Sequence, residues 1–206
     1  MPDIQFDRNK MRAVILHVCH ACSPDDLGAV KLHKVLYFLD MLSYAHHRQV
    51  VTGATYRKRP YGPASDQLLF QLREMERAGA IEINEVDYHG YQKREYRAKA
   101  TEPEGVLSEM EVDLLDDIID FVCRDNTAKS ISEYSHKLPW QMADMGKEIP
   151  YHSALLLIPN EPTPEALDAA SEGQREFEKA RSDKNAVDMS LLSTFRESLL
   201  QSAGQR

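Results

Sequence analysis

Two histidines and two cysteines lie within six residues near the start of the chain, and side chains of these types can hold a zinc ion. They are His17, Cys19, His20 and Cys22. A structural zinc site usually needs a second ligand pair from elsewhere in the chain. The alternative is packing, because Cys22 shares an apolar helical stripe with Val18, where a free cysteine behaves as a small hydrophobe. Packing is the interpretation we adopt, so we expect no bound metal and no other cofactor.

A second group with chemical potential is the basic run Arg57-Lys58-Arg59, which lies between Tyr56 and Tyr61. Arginine and lysine beside aromatic rings can grip a phosphate or an acidic protein surface. The alternative is that these are three solvated charges at a strand end. Binding energy at protein interfaces concentrates in aromatic and arginine side chains. We therefore predict that Tyr56, Arg57, Lys58, Arg59 and Tyr61 bind a partner.

The sequence carries no recognisable catalytic arrangement. It has no serine in a Gly-x-Ser-x-Gly setting, no Walker loop, no Gly-x-Gly-x-x-Gly and no His-Glu-x-x-His. Carboxylates are plentiful, but no two of them form a recognisable acid/base pair. The sequence therefore predicts a protein that is not an enzyme.

Length and composition set the frame for these groups. The 206 residues are 42% hydrophobic and 28% charged, as in soluble globular proteins. The net charge of −8 disfavours a generic nucleic-acid binder, since such binding depends on neutralising phosphates. The longest apolar run, residues 154–158, is far too short to span a bilayer. With a polar start and an odd number of cysteines, the chain is expected to be cytoplasmic and not to contact membranes.

Charge is distributed unevenly along the chain. Residues 48–99 hold ten basic and seven acidic side chains, whereas residues 102–125 hold one basic and nine acidic ones. The simple interpretation of the acidic segment is a solvated helix face. The alternative is a docking face for a basic partner.

Periodicity predicts a mostly helical α+β fold. Helices are expected over 8–20, from a Ser23 cap to about 46, over 64–78 with Leu68, Leu69, Leu72 and Met75 inward, and over 109–124. Capping boxes are predicted at Ser108–Glu111 and Ser130–Glu133, the second opening a helix that ends near 136. Residues 50–56 are β-prone, and 81–86 with 92–98 predict a small β-hairpin. A helix followed by a hairpin is the element order of winged-helix modules.

Prolines 159, 162 and 164 mark a predicted boundary. Residues 1–158 are expected to form the folded domain. Residues 159–206 are expected to be a linker and a polar, weakly helical C-terminal tail.

Four pieces of sequence, in order, resemble the SocA-like antitoxin or Panacea domain. Residues 31–38, KLHKVLYF, followed by Asp40, resemble its "KLxKLLYF" helix. Residues 58–63 resemble its strand and "GP" turn, and residues 72–81 its helix-to-strand junction. Residues 131–140, which hold His136 and Trp140, are similar to its "H…W" segment. The likeness covers about residues 8–158, with Val35 and His33 departing from the usual leucine and glutamine.

The resemblance implies a small bacterial or phage-borne antitoxin that neutralises a cognate toxin by direct binding. At least one archetype of the family is a proteolytic adaptor that delivers its toxin to a Clp-type ATP-dependent protease. Lys31, Lys34 and Asp40 are expected to form a polar edge on the second helix and to bind the partner. The remaining motif residues are expected to be structural: Leu32, Leu36, Tyr37, Phe38, Gly62, Pro63, Gly79, His136 and Trp140.

The alternative function is a DNA-binding transcriptional regulator. In that case the hairpin would be a wing and the preceding helix would read the DNA groove. Six basic side chains favour this alternative: Arg73, Arg77, Lys93, Arg94, Arg97 and Lys99.

Overall fold

A computed structural model of the chain describes residues 4–88, 90–157, 172 and 175. The chain divides into two units, Met1–Pro159 and Asn160–Arg206, and every element named below lies in the first. The predicted tail over 159–206 lies outside the described residues, apart from two positions. The predicted domain boundary and the tail therefore stay predictions.

Helices dominate the described part of the chain. In chain order they are α1 (Arg8–Ala21), α2 (Ala29–His47), α3 (Asp66–Arg77), α4 (Glu109–Ile119), α5 (Ala128–Tyr134) and α6 (Leu138–Met142). The strands are β1 (Arg57–Arg59), β2 (Gly62–Ala64), β3 (Ile81–Tyr88) and β4 (Tyr91–Ala98). A π-helical turn, Asp120–Arg124, continues α4, and a 3₁₀ turn spans Tyr151–Leu156. Within the described residues no helix has the length and apolar character needed to cross a bilayer.

The strands form two separate antiparallel hairpins, β1 with β2 and β3 with β4. The β3–β4 hairpin follows α3 directly, in the predicted order, and pairs Ile81 with Ala98 through Tyr88 with Tyr91. The fold class, mostly helical α+β with small hairpins, is confirmed. The first hairpin is much shorter, and side chains of α2 fix its position.

Helix α2 is the centre of the domain. It packs against α4, α5, β2 and the 3₁₀ turn, and Leu32, Leu36 and Leu39 are buried along it. An α-helix that is apolar on most sides has to be covered on most sides. Consequently even polar side chains of α2, such as Lys34 and Asp40, lie inside the protein.

Two helix starts follow their local capping signals. Asp7 accepts hydrogen bonds from the backbone N–H of Asn9 and Lys10 and so begins α1. Ser108 and Glu111 form the predicted capping box of α4. Side-chain acceptors of this kind satisfy N–H groups that have no partner within the helix.

Two predicted helix starts are wrong, and the sequence does not predict one further helix. Helix α2 begins at Ala29, because Gly28 is extended and residues 23–27 form a turn of their own that buries Leu27. The cap of α5 is Thr127, which pairs with Ser130, so the predicted box over 130–133 does not form. Residues 138–142 form the extra helix α6, which has proline in its first turn.

The strand predicted over residues 50–56 is also wrong. The backbone N–H groups of Val51 and Thr52 donate to the carboxyl of Asp40, and that of Thr55 donates to the side chain of Gln67. Donors used in this way are not available to a strand partner. On α3 the predicted inward Leu69 is exposed, since the inner face follows Leu68, Leu72 and Met75 at helical spacing.

Candidate partner-binding surface

The exposed turn between β1 and β2 carries the most prominent of the predicted binding residues. Arg57 pairs with Ala64 and Arg59 with Gly62, leaving Pro60 and Tyr61 at the tip. The Tyr61 side chain is 76% exposed. Gly62 adopts a φ of 93°, a backbone conformation that favours glycine.

The turn is held from below by the buried side chain of Lys34 on α2. Its Nζ donates to the carbonyl oxygens of Tyr61 at 2.7 Å and Pro63 at 3.0 Å. Ser132 Oγ of α5 donates to the same Tyr61 carbonyl at 3.0 Å. Burial lowers the pKa of Lys34 to about 7. The predicted surface lysine is therefore an internal support that fixes both the turn and the position of Tyr61.

Gly62 fits closely between α2 and α5. A Cβ atom at this position would lie 2.3 Å from Ser135 Oγ and 2.6 Å from Lys34 Nζ. Only hydrogen occupies this space, so the backbone of the turn can approach the two helices. The family-motif residues Gly62 and Pro63 are both buried.

Trp140 supports the other side of the hairpin. Its Nε1 donates to the carbonyl of Arg59 at 3.1 Å, and the ring of His136 stacks on it with 4.0 Å between ring centroids. Lys58 Nζ lies 4.1 Å from the Trp140 ring centroid and donates to the carbonyl of Ala143 at 2.9 Å. Burial, and then the charges of Lys34 and Lys58, lower the pKa of His136. The lowered pKa favours a neutral imidazole ring against the indole, and the Lys58 cation lies over the same indole.

Arg57 and Arg59 project from the hairpin and share one carboxylate. Arg59 Nη2 lies 3.2 Å from Asp66 Oδ1, and Arg57 Nε lies 3.9 Å from Asp66 Oδ2. Two guanidinium groups against one carboxylate leave an excess of positive charge beside Tyr61. Such exposed pairs contribute little to stability, so Asp66 does not hold the two arginines tightly.

Tyr56 and Asp40 do not reach the surface, contrary to the prediction. Asp40 is fully buried and accepts hydrogen bonds from two backbone N–H groups and from the hydroxyls of Thr52, Tyr56 and Tyr151. The predicted polar edge on α2 is wrong, because the rest of the fold covers the part of the helix that carries Asp40. Burial raises the pKa of Asp40, and the bonds from Thr52, Tyr56 and Tyr151 oppose that shift.

The third residue of the predicted edge, Lys31, is also buried. Its Nζ donates to the carbonyl of Cys123 at 2.8 Å in the π-helical turn. Lys31, Lys34 and Asp40 thus tie α2 to three different backbone segments. Sequence reasoning missed Ser132, which shares the Tyr61 carbonyl with Lys34, and Tyr151, which contacts Asp40, because both are far away in the chain and carry no local motif.

Five further residues of the predicted motif lie in the core or just after a helix. Four are in the core: Leu32, Leu36, Tyr37 and Phe38. Gly79 ends the segment after α3 with a φ of 70°, and nothing lies within 4 Å of a Cβ built there. This glycine needs its conformational freedom but not the space around it.

The histidines and cysteines near the start of the chain form no metal cluster. His17 contacts Glu102 at 2.8 Å and Asp116 at 2.7 Å, and His20 contacts the carbonyl of Ala100. Cys19 and Cys22 are buried in the core. In the part of the chain that the structure describes, no group of three or more such side chains is placed to hold an ion.

Replacing His17 by glutamine should reduce stability more at pH 5.5 than at pH 8.5. Burial lowers the pKa of His17, but the hydrogen bonds and charges of Asp116 and Glu102 outweigh it, so the pKa is raised. A raised pKa stabilises the fold below the unfolded value of about 6.5, and this contribution is lost as the pH rises through the folded value. Urea unfolding at the two pH values measures the effect, and an equal loss at both would contradict this role.

Comparison with known proteins identifies a family. Residues 32–141 match the family model described as "Antitoxin SocA-like, Panacea domain". The matched region runs from the first turn of α2 to α6 and includes the β1–β2 turn, Lys34, Gly62 and Trp140. No curated protein and no solved structure matches the chain.

Proposed function

The chain belongs to the family of SocA-like antitoxins with a Panacea domain, and on that basis we propose that it neutralises a cognate toxin by direct binding through the β1–β2 turn. The observation that carries the proposal is the exposed Tyr61 on a turn whose carbonyls are held by Lys34 and Ser132. A turn backbone that is already held in place loses little entropy on binding. An exposed aromatic ring on a rigid support is typical of an interface hot spot.

The surface beside Tyr61 has the composition of an interface centre. The segment that carries Trp140 exposes three large apolar side chains: Leu138, Met142 and Met145. This segment is joined to β1, since Lys58 Nζ donates to the carbonyl of Ala143 and Gly146 N donates to the carbonyl of Lys58. Aromatic, methionine and arginine side chains are enriched at protein interfaces. The proposed surface consists of Tyr61, Arg57, Arg59 and these three apolar residues, and we call it the turn surface.

Replacing Arg57, Arg59 and Tyr61 together by alanine should abolish toxin neutralisation. Each interface hot spot contributes about 2 kcal/mol or more, so the triple variant should bind at least about 100-fold more weakly. The toxin encoded beside the gene is co-expressed with wild-type or variant chain, and growth and co-purification are measured. All three side chains are exposed or half-buried, so the fold should persist.

The matched control is Arg77→Ala. Arg77 is exposed at the end of α3 and pairs with Glu74, so this change removes an arginine and an ion pair away from the turn surface. It should neutralise the toxin as wild type does. Full neutralisation by the triple variant would rule out the turn surface, and a neighbouring gene product that is harmless on its own would rule out the antitoxin function.

Delivery of the toxin to a Clp-type protease is the finer form of the proposal. Simple sequestration leaves the toxin's lifetime unchanged or longer, whereas an adaptor shortens it in an ATP-dependent manner. A chase of labelled toxin in cells with and without the chain separates the two. Lifetimes that do not fall in the presence of the chain would leave binding alone as the mechanism.

The DNA-binding alternative is weaker. Of the basic residues that favoured it, Arg77, Arg94 and Lys99 each pair with a glutamate. Lys93 points into the protein and donates to the carbonyls of Pro24 and Asp25. Charges neutralised by the protein itself release fewer counterions from DNA. A promoter fragment that binds with strong salt dependence would revive this alternative.

A further inference from the structure

A groove lies between α2, α4 and α5. Its apolar part is a cavity of about 340 Å³, lined mainly by Phe38, Leu42, Leu114, Ile118, Phe121 and Tyr134. A second cavity of about 290 Å³ lies toward the start of α4 and includes Met110, Ser43 and His47. Leu114 lines both cavities, so the two are neighbours along α4, and we call them together the groove.

The floor of the groove is a cluster of three aromatic rings. Phe121 and Tyr134 have ring centroids 5.1 Å apart, and Phe38 lies 5.9 Å from Tyr134 and 6.3 Å from Phe121. All three contacts are edge-to-face, the geometry that aromatic pairs prefer. Lys137 Nζ sits 3.9 Å from the Tyr134 ring centroid and so contributes one positive charge to the rim.

The groove has the length of a helical ligand. From Met110 to Phe121 it follows eleven residues of helical backbone, which is about 16 Å or three turns. Met110 is 68% exposed, and Leu114 and Phe121 are partly exposed. Grooves of this kind bind an amphipathic helix through anchors spaced i, i+4 and i+7.

The rim beside these apolar residues is acidic and unpaired. Glu109, Asp113 and Asp117 recur every four residues, so they share one exposed face of α4. None of the three forms an ion pair within the described residues. Two neighbouring acidic residues of α4 do have partners: Glu111 pairs with Lys10, and Asp116 pairs with His17. The net charge left on this rim is therefore negative, and it complements a basic ligand.

We propose that this groove binds a basic amphipathic helix of a partner protein, with apolar anchors over the aromatic floor and lysine or arginine against Glu109, Asp113 and Asp117. The inference goes beyond the proposed function, since it concerns residues outside the turn surface and does not require the partner to be the toxin. It gives the acidic stripe and the exposed Met110 a common role. A solvated surface would explain the acidic residues but not the apolar groove beside them.

The test uses the full chain and a fluorescein-labelled helical peptide of about 15 residues, with leucines spaced i, i+4, i+7 and i+11 and lysines on the flanks. A scrambled peptide of the same composition is the ligand control. Fluorescence anisotropy should show saturable binding of the patterned peptide, at least about tenfold tighter than the scrambled one. Met110→Arg, at an exposed position, should weaken binding about tenfold or more by adding a positive charge.

Neutralising the rim provides the second measurement. The triple variant Glu109→Gln/Asp113→Asn/Asp117→Asn should weaken binding and flatten its salt dependence. The matched triple variant Asp25→Asn/Glu76→Gln/Glu104→Gln removes the same charge elsewhere and should leave binding unchanged. Equal binding of both peptides, or equal effects of the two triple variants, would overturn the proposal. A dimer in sedimentation that Met110→Arg dissociates would also overturn it by assigning the groove to a second copy of the chain.

Discussion

Gly62→Ala should lower the free energy of unfolding by about 3 kcal/mol and abolish toxin binding. The new methyl group would lie 2.3 Å from Ser135 Oγ and 2.6 Å from Lys34 Nζ. Neither atom moves freely, since Ser135 Oγ donates to the carbonyl of Ser132, and Lys34 holds two carbonyls of the turn. The φ of 93° adds backbone strain for any residue with a Cβ. The turn would have to lift away from α2, which displaces Tyr61.

Gly79→Ala is the matched control, because it separates strain from crowding. Gly79 also has a positive φ, of 70°, but nothing lies within 4 Å of the Cβ position. Its replacement should therefore cost only the strain of about 1 kcal/mol. It should leave toxin binding intact, because Gly79 lies outside the turn surface. Urea unfolding of both variants measures the difference, and similar losses would show that crowding at Gly62 adds nothing to the backbone strain.

Asp40→Ala should destabilise the protein by roughly 3–5 kcal/mol, at least as much as the substitution of Gly62. Removing the carboxyl leaves the buried N–H groups of Val51 and Thr52 without an acceptor. The three hydroxyls around Oδ2 would also lose their common partner. Val51 and Thr52 lie in the segment that connects α2 to β1, so this loss should spread to the turn surface. Thermal or urea unfolding provides the measurement.

Asp40→Asn should be far milder, costing about 1 kcal/mol. Burial raises the pKa of Asp40, which favours a neutral carboxyl. The surrounding bonds allow this, since Tyr56 and Tyr151 can turn their hydroxyl protons to the carbonyls of Leu36 and Ala54, and one of the two hydroxyl oxygens can then accept the single proton of a neutral carboxyl. An amide supplies both an acceptor and donors in the same place.

The pH dependence distinguishes a neutral carboxyl from a charged one. A carboxyl with a raised pKa holds its proton more tightly in the folded state, so stability falls as the pH rises above the unfolded value of about 4. Wild-type chain should therefore lose stability relative to the asparagine variant between pH 4 and neutral pH. If the free energy of unfolding of the wild-type chain instead rises relative to that of the asparagine variant over this pH interval, Asp40 is charged and stabilised by its hydrogen bonds.

Much of the architecture follows from local sequence. Asp7 and the Ser108–Glu111 box begin α1 and α4 because their side chains accept bonds from residues two or three positions away. The alternating pattern that begins at Ile81 fixes the β3–β4 hairpin, since one face of each strand is half-buried. The motif from Lys31 to Phe38 and three further pieces in order predict the family, which the match over residues 32–141 shows. The exposure of Tyr61, Arg57 and Arg59 also follows from local sequence, since polar residues at a strand end and in a turn usually face solvent.

Tertiary structure alone decided where the polar residues of α2 lie. Lys34 and Asp40 look like an exposed edge in sequence, because charged side chains usually face water. They are buried because their partners are backbone groups of residues 51–52 and 61–63, which no helical periodicity can indicate. The same contacts take the donors of residues 51–52 and replace the predicted strand. A hydrogen bond between neighbouring residues can be predicted from the local sequence. A buried polar side chain is instead stabilised by hydrogen bonds to a distant segment of the chain, and only folding brings that segment close to it.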